Sequence, residues 1–125
     1  MTEFKIIIIK DTAPSINRAY YFVKCGSKRV IKVKSQIAKE WFKKVQDTFK
    51  EKYPEASVSE NKISVKLIFY FPDKRRHDVD NFQKLTLDAL TGLAWKDDSQ
   101  IQMITSMKYE SQPERSTYIE IKELK

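Results

Sequence analysis

Apolar and polar positions along this chain change period several times, and each change marks an element. From Phe4 to Lys10 the run Ile6-Ile7-Ile8-Ile9 is apolar without alternation. That pattern predicts a strand buried on both faces and therefore central in its sheet. Asp11 to Ser27, with Pro14, Asn17 and Gly26, has the composition of a surface loop. Arg29 to Val33 alternates charged and branched residues, predicting a short strand with one face toward solvent. Ile37, Ala38, Trp41, Phe42, Val45 and Phe49 then recur at helical spacing. A helix capped by Ser35 should run to about Tyr53 and stop before Pro54. A Trp within such a stripe is far more often packed than offered as a platform for bases.

Period two returns where Ile63, Val65, Leu67, Phe69 and Phe71 alternate with Ser64, Lys66, Ile68 and Tyr70, giving a long strand that ends at Pro72. Phe82, Leu85, Ala89, Leu90 and Leu93 make the buried side of a second helix, capped by Asp78 or Asp80 and ended by Gly92. Asp80, Lys84 and Asp88 share the opposite side. Ile101, Met103, Met107 and Tyr109 alternate in a strand, and Thr117 to Ile121 forms a last one after the Gln112-Pro113-Glu114 turn. The order β-β-α-β-α-β-β predicts an α+β domain, a mixed β-sheet carrying two main helices, with residues 1–125 as a single domain.

Composition changes this picture in two places. Lys and Arg number 24 against 17 Asp and Glu, a formal net charge of +7, which suits a polyanionic partner. Cys25 is the only cysteine, so an intrachain disulfide and a Cys-rich zinc site are excluded, and an intracellular setting is expected. Its packing role is expected to be that of a small, semi-buried apolar residue. The isoleucine run is too short to span a bilayer, so no membrane partner is expected.

The chemistry concentrates between Lys74 and Asp98. Asp78 and Asp80 stand two residues apart behind the basic run Lys74-Arg75-Arg76-His77, and a second acidic pair, Asp97-Asp98, follows the helix. Carboxylate oxygens suit hard divalent cations, and flanking cations suit phosphates, the combination that metal-assisted phosphodiester hydrolysis needs. Taken singly, each half has a plainer explanation, since Asp-x-Asp serves as a cap and basic runs form solvated faces. His77 can join the phosphate contacts, hydrogen-bond a ligand carboxylate, or be an exposed polar residue.

Arg75 to Gln100 resembles the RusA family of Holliday-junction resolvases: a basic run, Asp78-Val79-Asp80-Asn81, a helix with Lys84 and Asp88-Ala89-Leu90, then Asp97-Asp98-Ser99-Gln100. Pro14-Ser15-Ile16-Asn17-Arg18 resembles the family's N-terminal Pro-Ser-x-Asn loop. The resemblance implies a Mg²⁺-dependent endodeoxyribonuclease, with Mn²⁺ as a substitute, that resolves four-way junction DNA by paired symmetric incisions. It implies a homodimer working in the cytoplasm of a bacterial or phage-infected cell. Asp78, Asp80 and Asp98 would be catalytic metal ligands and Asp97 an auxiliary ligand. Lys84 matches a functional lysine that would hold the scissile phosphate or stabilise the leaving oxygen; its plainer role is a helical ion pair. Lys74, Arg75, Arg76, Asn17 and Arg18 would contact DNA, with a loop-fixing Asx turn as the alternative for Asn17. A flap or other branched-DNA nuclease, and a non-catalytic nucleic-acid-binding module, are the competing functions.

Reach constrains the third ligand. A helix from Asp80 to about Thr91 carries the chain ~17 Å away, and seven further residues return at most ~23 Å. Asp98 therefore meets Asp78 and Asp80 in one subunit only if Gly92 to Asp97 doubles back; otherwise a partner subunit must supply it.

Overall fold

A computed structural model describes residues 3–75 and 77–124, with the backbone alone at Glu3, Ile16 and Asn17. The elements in chain order are β1 (Glu3–Ile9), a one-turn helix α1 (Ile16–Ala19), β2 (Tyr20–Cys25), β3 (Arg29–Lys34), α2 (Gln36–Lys52), β4 (Lys62–Tyr70), α3 (Val79–Leu90), β5 (Ile101–Tyr109) and β6 (Ser116–Leu124). Among the described residues, four strands form one mixed sheet in the order β1-β6-β4-β5, and β2 pairs with β3 in a separate hairpin. The architecture is α+β, as the periodicity predicts.

Both main helices lie where their apolar stripes can be buried. Ser35 Oγ accepts the Ala38 N–H at 3.3 Å to open α2, whose Trp41, Val45 and Phe49 are buried. Phe82, Leu85 and Leu90 of α3 join them over Ile7 and Ile9 of β1, Val65, Leu67 and Phe69 of β4, and Ile119 and Ile121 of β6. β4 and β5 pair in parallel with α3 as the crossover between them, while β6 is antiparallel to both β1 and β4.

Three expectations are corrected. β1 is an edge strand and not central. The helices cover one face of the sheet, so Ile7 and Ile9 are buried while Phe4 and Ile8 point to the uncovered face and are more than half exposed. There Ile8, Tyr118, Ile68 and Met107 align across all four strands. Second, the segment expected to be one loop from Asp11 to Ser27 contains α1 and β2, making the order β-β-β-α-β-α-β-β. Tyr20-Tyr21-Phe22-Val23 is rich in strand-forming side chains, and Gly26, at φ 77°, belongs to the tight turn that returns it to β3. Third, this hairpin leaves both faces of β3 largely open to solvent and makes Cys25 exposed instead of semi-buried. No described helix is long and apolar enough to cross a membrane.

Candidate active site

The last inward side chain of the central strand fixes the first acidic motif. Phe71, fully buried, follows β4, and the His77 imidazole stacks on its ring with centroids 3.8 Å apart and planes 3° from parallel. His77 Nε2 lies 2.7 Å from Asp73 Oδ1, and Lys108 Nζ donates to the His77 carbonyl at 2.7 Å. Arg115 reaches in from the turn before β6, placing Nη2 3.6 Å from Asp73 Oδ2 and donating from Nη1 to Thr12 Oγ1 at 2.7 Å. The hydrogen bond from His77, chiefly, holds the Asp73 carboxyl below its ordinary value. His77 thus anchors the turn by stacking and pairing, and the residue it orients is Asp78.

Asp78 occupies the N-cap position of α3, where its carbonyl accepts the Asn81 N–H at 3.0 Å, but its side chain makes no capping hydrogen bond. Asp80 sits in the first turn, exposed, and makes no ion pair among the described residues. A carboxylate there is favoured by the helix dipole without being consumed by it.

Beside Asp78 opens a cleft of about 540 Å³. The loop after β1 contributes Thr12, Pro14 and Ser15, and α1 contributes Arg18; α2 contributes Trp41 and Lys44; the turn after β4 contributes Asp73, Arg75 and His77; and Arg115 closes one side. Residues distant in sequence, Pro14, Ser15 and Arg18 on one side and Arg75, His77 and Asp78 on the other, therefore face the same space. Lys44 is committed to Asp11 at 2.8 Å, whereas the Arg18 and Arg75 guanidinium groups make no ion pair among the described residues. Lys74 is exposed on the same turn. Arg76 and the side chain of Asn17, both expected DNA contacts, lie outside the described residues.

The second acidic motif is elsewhere. A parallel crossover leaves one end of the sheet and re-enters at the other, so Asp97 and Asp98 precede the start of β5 while Asp78 follows the end of β4. Asp98 lines a groove of about 290 Å³ between α3 and β5 with Gln83, Lys84, Leu87, Asp88 and Ile101. Lys84 Nζ is 3.5 Å from Asp88 Oδ2. Nearby, burial first and the Asp88 charge second push the Tyr20 hydroxyl above its ordinary value. Asp80 stands about 12 Å along the helix axis from Asp88. Among the described residues no three His, Cys, Asp or Glu side chains are grouped to hold a metal ion.

Asp97 has a local task. Its carboxylate accepts the backbone N–H and the hydroxyl of Ser99, which lowers its pKa, and its own N–H donates to Gln100 Oε1 at 2.8 Å. Gln100 Nε2 then ties the turn to the Ser59 and Asn61 carbonyls at 2.9 and 2.8 Å. The Asp-Asp-x-Gln pattern thus closes a reciprocal capping box that fixes where Asp98 points from.

Two contributions have no sequence signal or only a diffuse one. Arg115 enters the cleft through tertiary packing alone. The β2–β3 hairpin carries Lys24, Lys28, Arg29, Lys32 and Lys34, and between Asp11 and Glu40 the sequence contains no carboxylate at all. Its absence of acidic residues was the available clue.

Fold and site together define a small α+β domain with an arginine-lined cleft at the tip of its central strand and a carboxylate pair at the start of the adjoining helix. The chain belongs to the endodeoxyribonuclease RusA family, whose sequence model matches residues 13–122. Over 40 residues it is 42% identical to the crossover junction endodeoxyribonuclease RusA of Enterobacteria phage 82, and equally to those of Escherichia coli K12 and Shigella sonnei. That stretch is 31% of this chain and spans a third, 33%, of the length of each relative.

Proposed function

We propose that this protein is a metal-dependent endodeoxyribonuclease that resolves four-way DNA junctions, cutting two strands symmetrically as a homodimer. The observation that carries the reading is the meeting of Pro14, Ser15 and Arg18 with Arg75, His77 and Asp78 around one cleft, with Asp80 two residues beyond Asp78 in the first turn of α3. Arg18, Arg75 and Lys74 hold backbone phosphates, which gives affinity without sequence readout. Asp78 and Asp80 present hard oxygen donors of the kind that Mg²⁺ or Mn²⁺ takes. A divalent ion bound there would lower the pKa of an attacking water and neutralise charge on the phosphate. Lys84, one helical turn beyond Asp80, supplies a further positive charge on the same side of α3.

Among the described residues of one chain no third carboxylate joins Asp78 and Asp80 in a metal-binding group, and this favours a dimer. β5 is an edge strand paired only with β4, and its Met103, Ile104, Met107 and Tyr109 are exposed. Antiparallel pairing of β5 with a second β5 about a two-fold axis sets the start of one strand beside the end of the other. The Lys108 to His77 hydrogen bond ties the end of β5 to the turn bearing Asp78. Asp98 of one copy would then approach Asp78 and Asp80 of the other, giving two equivalent sites for a two-fold substrate.

The test is single-turnover incision of a synthetic four-way junction, a flap and a linear duplex with Mg²⁺, with Mn²⁺ and with chelator. Paired symmetric cuts restricted to the junction, and abolished by chelation, are expected. Equal cutting of the flap would make the protein a general branched-DNA nuclease. Junction binding with no incision under any divalent ion would leave a binding module.

A further inference from the structure

The β2–β3 hairpin stands apart from the main sheet and holds large apolar side chains in solvent. Among the described residues it is a two-stranded sheet of its own, with Phe22 69% exposed, Val30 62% and Tyr21 50%. A hairpin of two strands is marginal in water unless something packs against it. The pairing register sorts its side chains, so that Tyr20, Phe22 and Lys24 share one face with Lys34, Lys32 and Val30. On that face Lys32 Nζ lies 4.2 Å from the Tyr20 ring centroid, and Phe22 stands between Lys24 along its own strand and Lys32 across from it. Five cations and no carboxylate lie between Tyr20 and Lys34. An exposed aromatic ring between cations suits an unstacked nucleotide, whose base lies on the ring while its phosphates meet the ammonium groups. A second copy of this chain, itself of formal charge +7, would bring like charge to the same face.

The root of the hairpin is built into the candidate site. Ser35 N–H donates to the Ala19 carbonyl at 2.7 Å and Ser35 Oγ to the Arg18 carbonyl at 2.8 Å. The hairpin therefore begins and ends on the helical turn whose Arg18 lines the cleft with Asp78. Tyr20 feels the charges of Asp88 and Lys84 on α3, and Lys34 Nζ lies 3.9 Å from the Phe42 ring centroid on α2. From this root the strands extend ~17 Å to the Gly26 turn. In a continuous duplex both faces of every base pair are covered by neighbours; only at a branch, where strands pass between arms, can an arm end in an uncovered pair. Resting on the junction-nuclease reading, we propose that the hairpin enters the branch point, where Phe22 stacks on an uncovered base and Lys24 and Lys32 hold the phosphates beside it. The hairpin recognises the branch, while the cleft and the carboxylates act on a strand leading from it.

The experiment uses the full chain in an Asp80→Asn background, so that bound junctions stay uncut. Affinity for a four-way junction and for a linear duplex is measured for the parent, for Phe22→Val, which keeps strand propensity and removes the ring, and for Phe22→Trp, which restores one. Phe22→Val should weaken junction binding by about tenfold, the scale of one base–aromatic stack, and duplex binding by no more than about twofold. Phe22→Trp should return junction affinity to within about twofold of the parent. Cys25, exposed near the hairpin turn and the only cysteine, allows an independent readout: a maleimide-benzophenone placed on it should crosslink to nucleotides adjoining the branch point. Equal losses on junction and duplex, no loss on either, or failure of Phe22→Trp to restore affinity would overturn the proposal. So would crosslinks spread evenly along the arms. A shift of DNA-free Phe22→Val from dimer to monomer in sedimentation would instead assign the hairpin to an interface between copies. A parent that selects and cuts junctions while Phe22→Val binds them equally well removes the hairpin's role alone, whereas a parent with no preference for junctions removes the functional reading with it.

Discussion

Lys84 Nζ lies 3.5 Å from Asp88 Oδ2, one turn further into α3, and makes no ion pair with Asp80, one turn before it, among the described residues. Both partners retain contact with solvent, and an exposed pair of this spacing contributes a few tenths of a kcal/mol. Lys84→Ala should therefore unfold within about 1 kcal/mol of the parent in urea. Single-turnover junction cleavage should nevertheless fall by about 10²-fold or more, because a cation near a developing phosphate charge acts mainly in the transition state. Normal turnover in this variant would reduce Lys84 to a scaffold residue.

A site shared across a two-fold makes a genetic prediction. Asp80→Asn and Asp98→Asn homodimers should each bind junctions and fail to cut. In a mixed dimer both lesions fall in one site, and the other site is complete, so nicking of one strand should return. If each subunit used its own Asp98, both sites of the mixed dimer would be damaged and no nicking would appear.

Arg18 and Arg75 face one cleft from opposite segments and carry no ion pair within the described residues. Replacing both with Gln should weaken junction binding and lower the slope of log affinity against log salt by about 2, at roughly 0.9 per duplex-phosphate contact. An unchanged slope over a salt titration would place the phosphate contacts on other residues, with the β2–β3 hairpin the first alternative.

Asp73 gives the fold a dependence on acid. Its carboxyl is held below the ordinary value, mostly by His77, so it releases its proton more readily folded than unfolded. A group depressed in this way contributes stability above its unfolded value, about 3.9, and that contribution disappears as pH falls through the lower folded value. The urea midpoint of the parent should drop more between pH 5 and about pH 2.5 than that of Asp73→Asn. Parallel curves for the two proteins would show that the His77 to Asp73 contact carries no stability.

Local pattern was enough for much of this molecule. The helical stripe from Ile37 to Phe49, its Ser35 cap, the alternation of Ile63 to Phe71 and the glycine-ended helix bearing Phe82 to Leu90 are properties of neighbouring residues, and short-range sterics and burial fix them. The family likewise was legible, because its motifs are runs of adjacent residues whose turns and caps are local. Asp97-Asp98-Ser99-Gln100 closes on itself in this way, apart from the tie from Gln100 to Ser59 and Asn61.

Tertiary structure decided what adjacency cannot. Whether an apolar strand such as β1 is central or at an edge depends on whether a helix layer covers its second face, which the strand's own residues do not encode. Whether Asp98 meets Asp80 depends on the parallel crossover, which puts the two acidic motifs at opposite ends of β5. Trp41 was legible as core from its helical spacing, but its place on the cleft wall emerges only when the loop after β1, the turn after β4 and Arg115 are brought around it. The sequence by itself determined which chemical groups are present and which segments they stand on. Their convergence was decided by strand order and crossover direction, because these set the distance between groups that the chain keeps far apart.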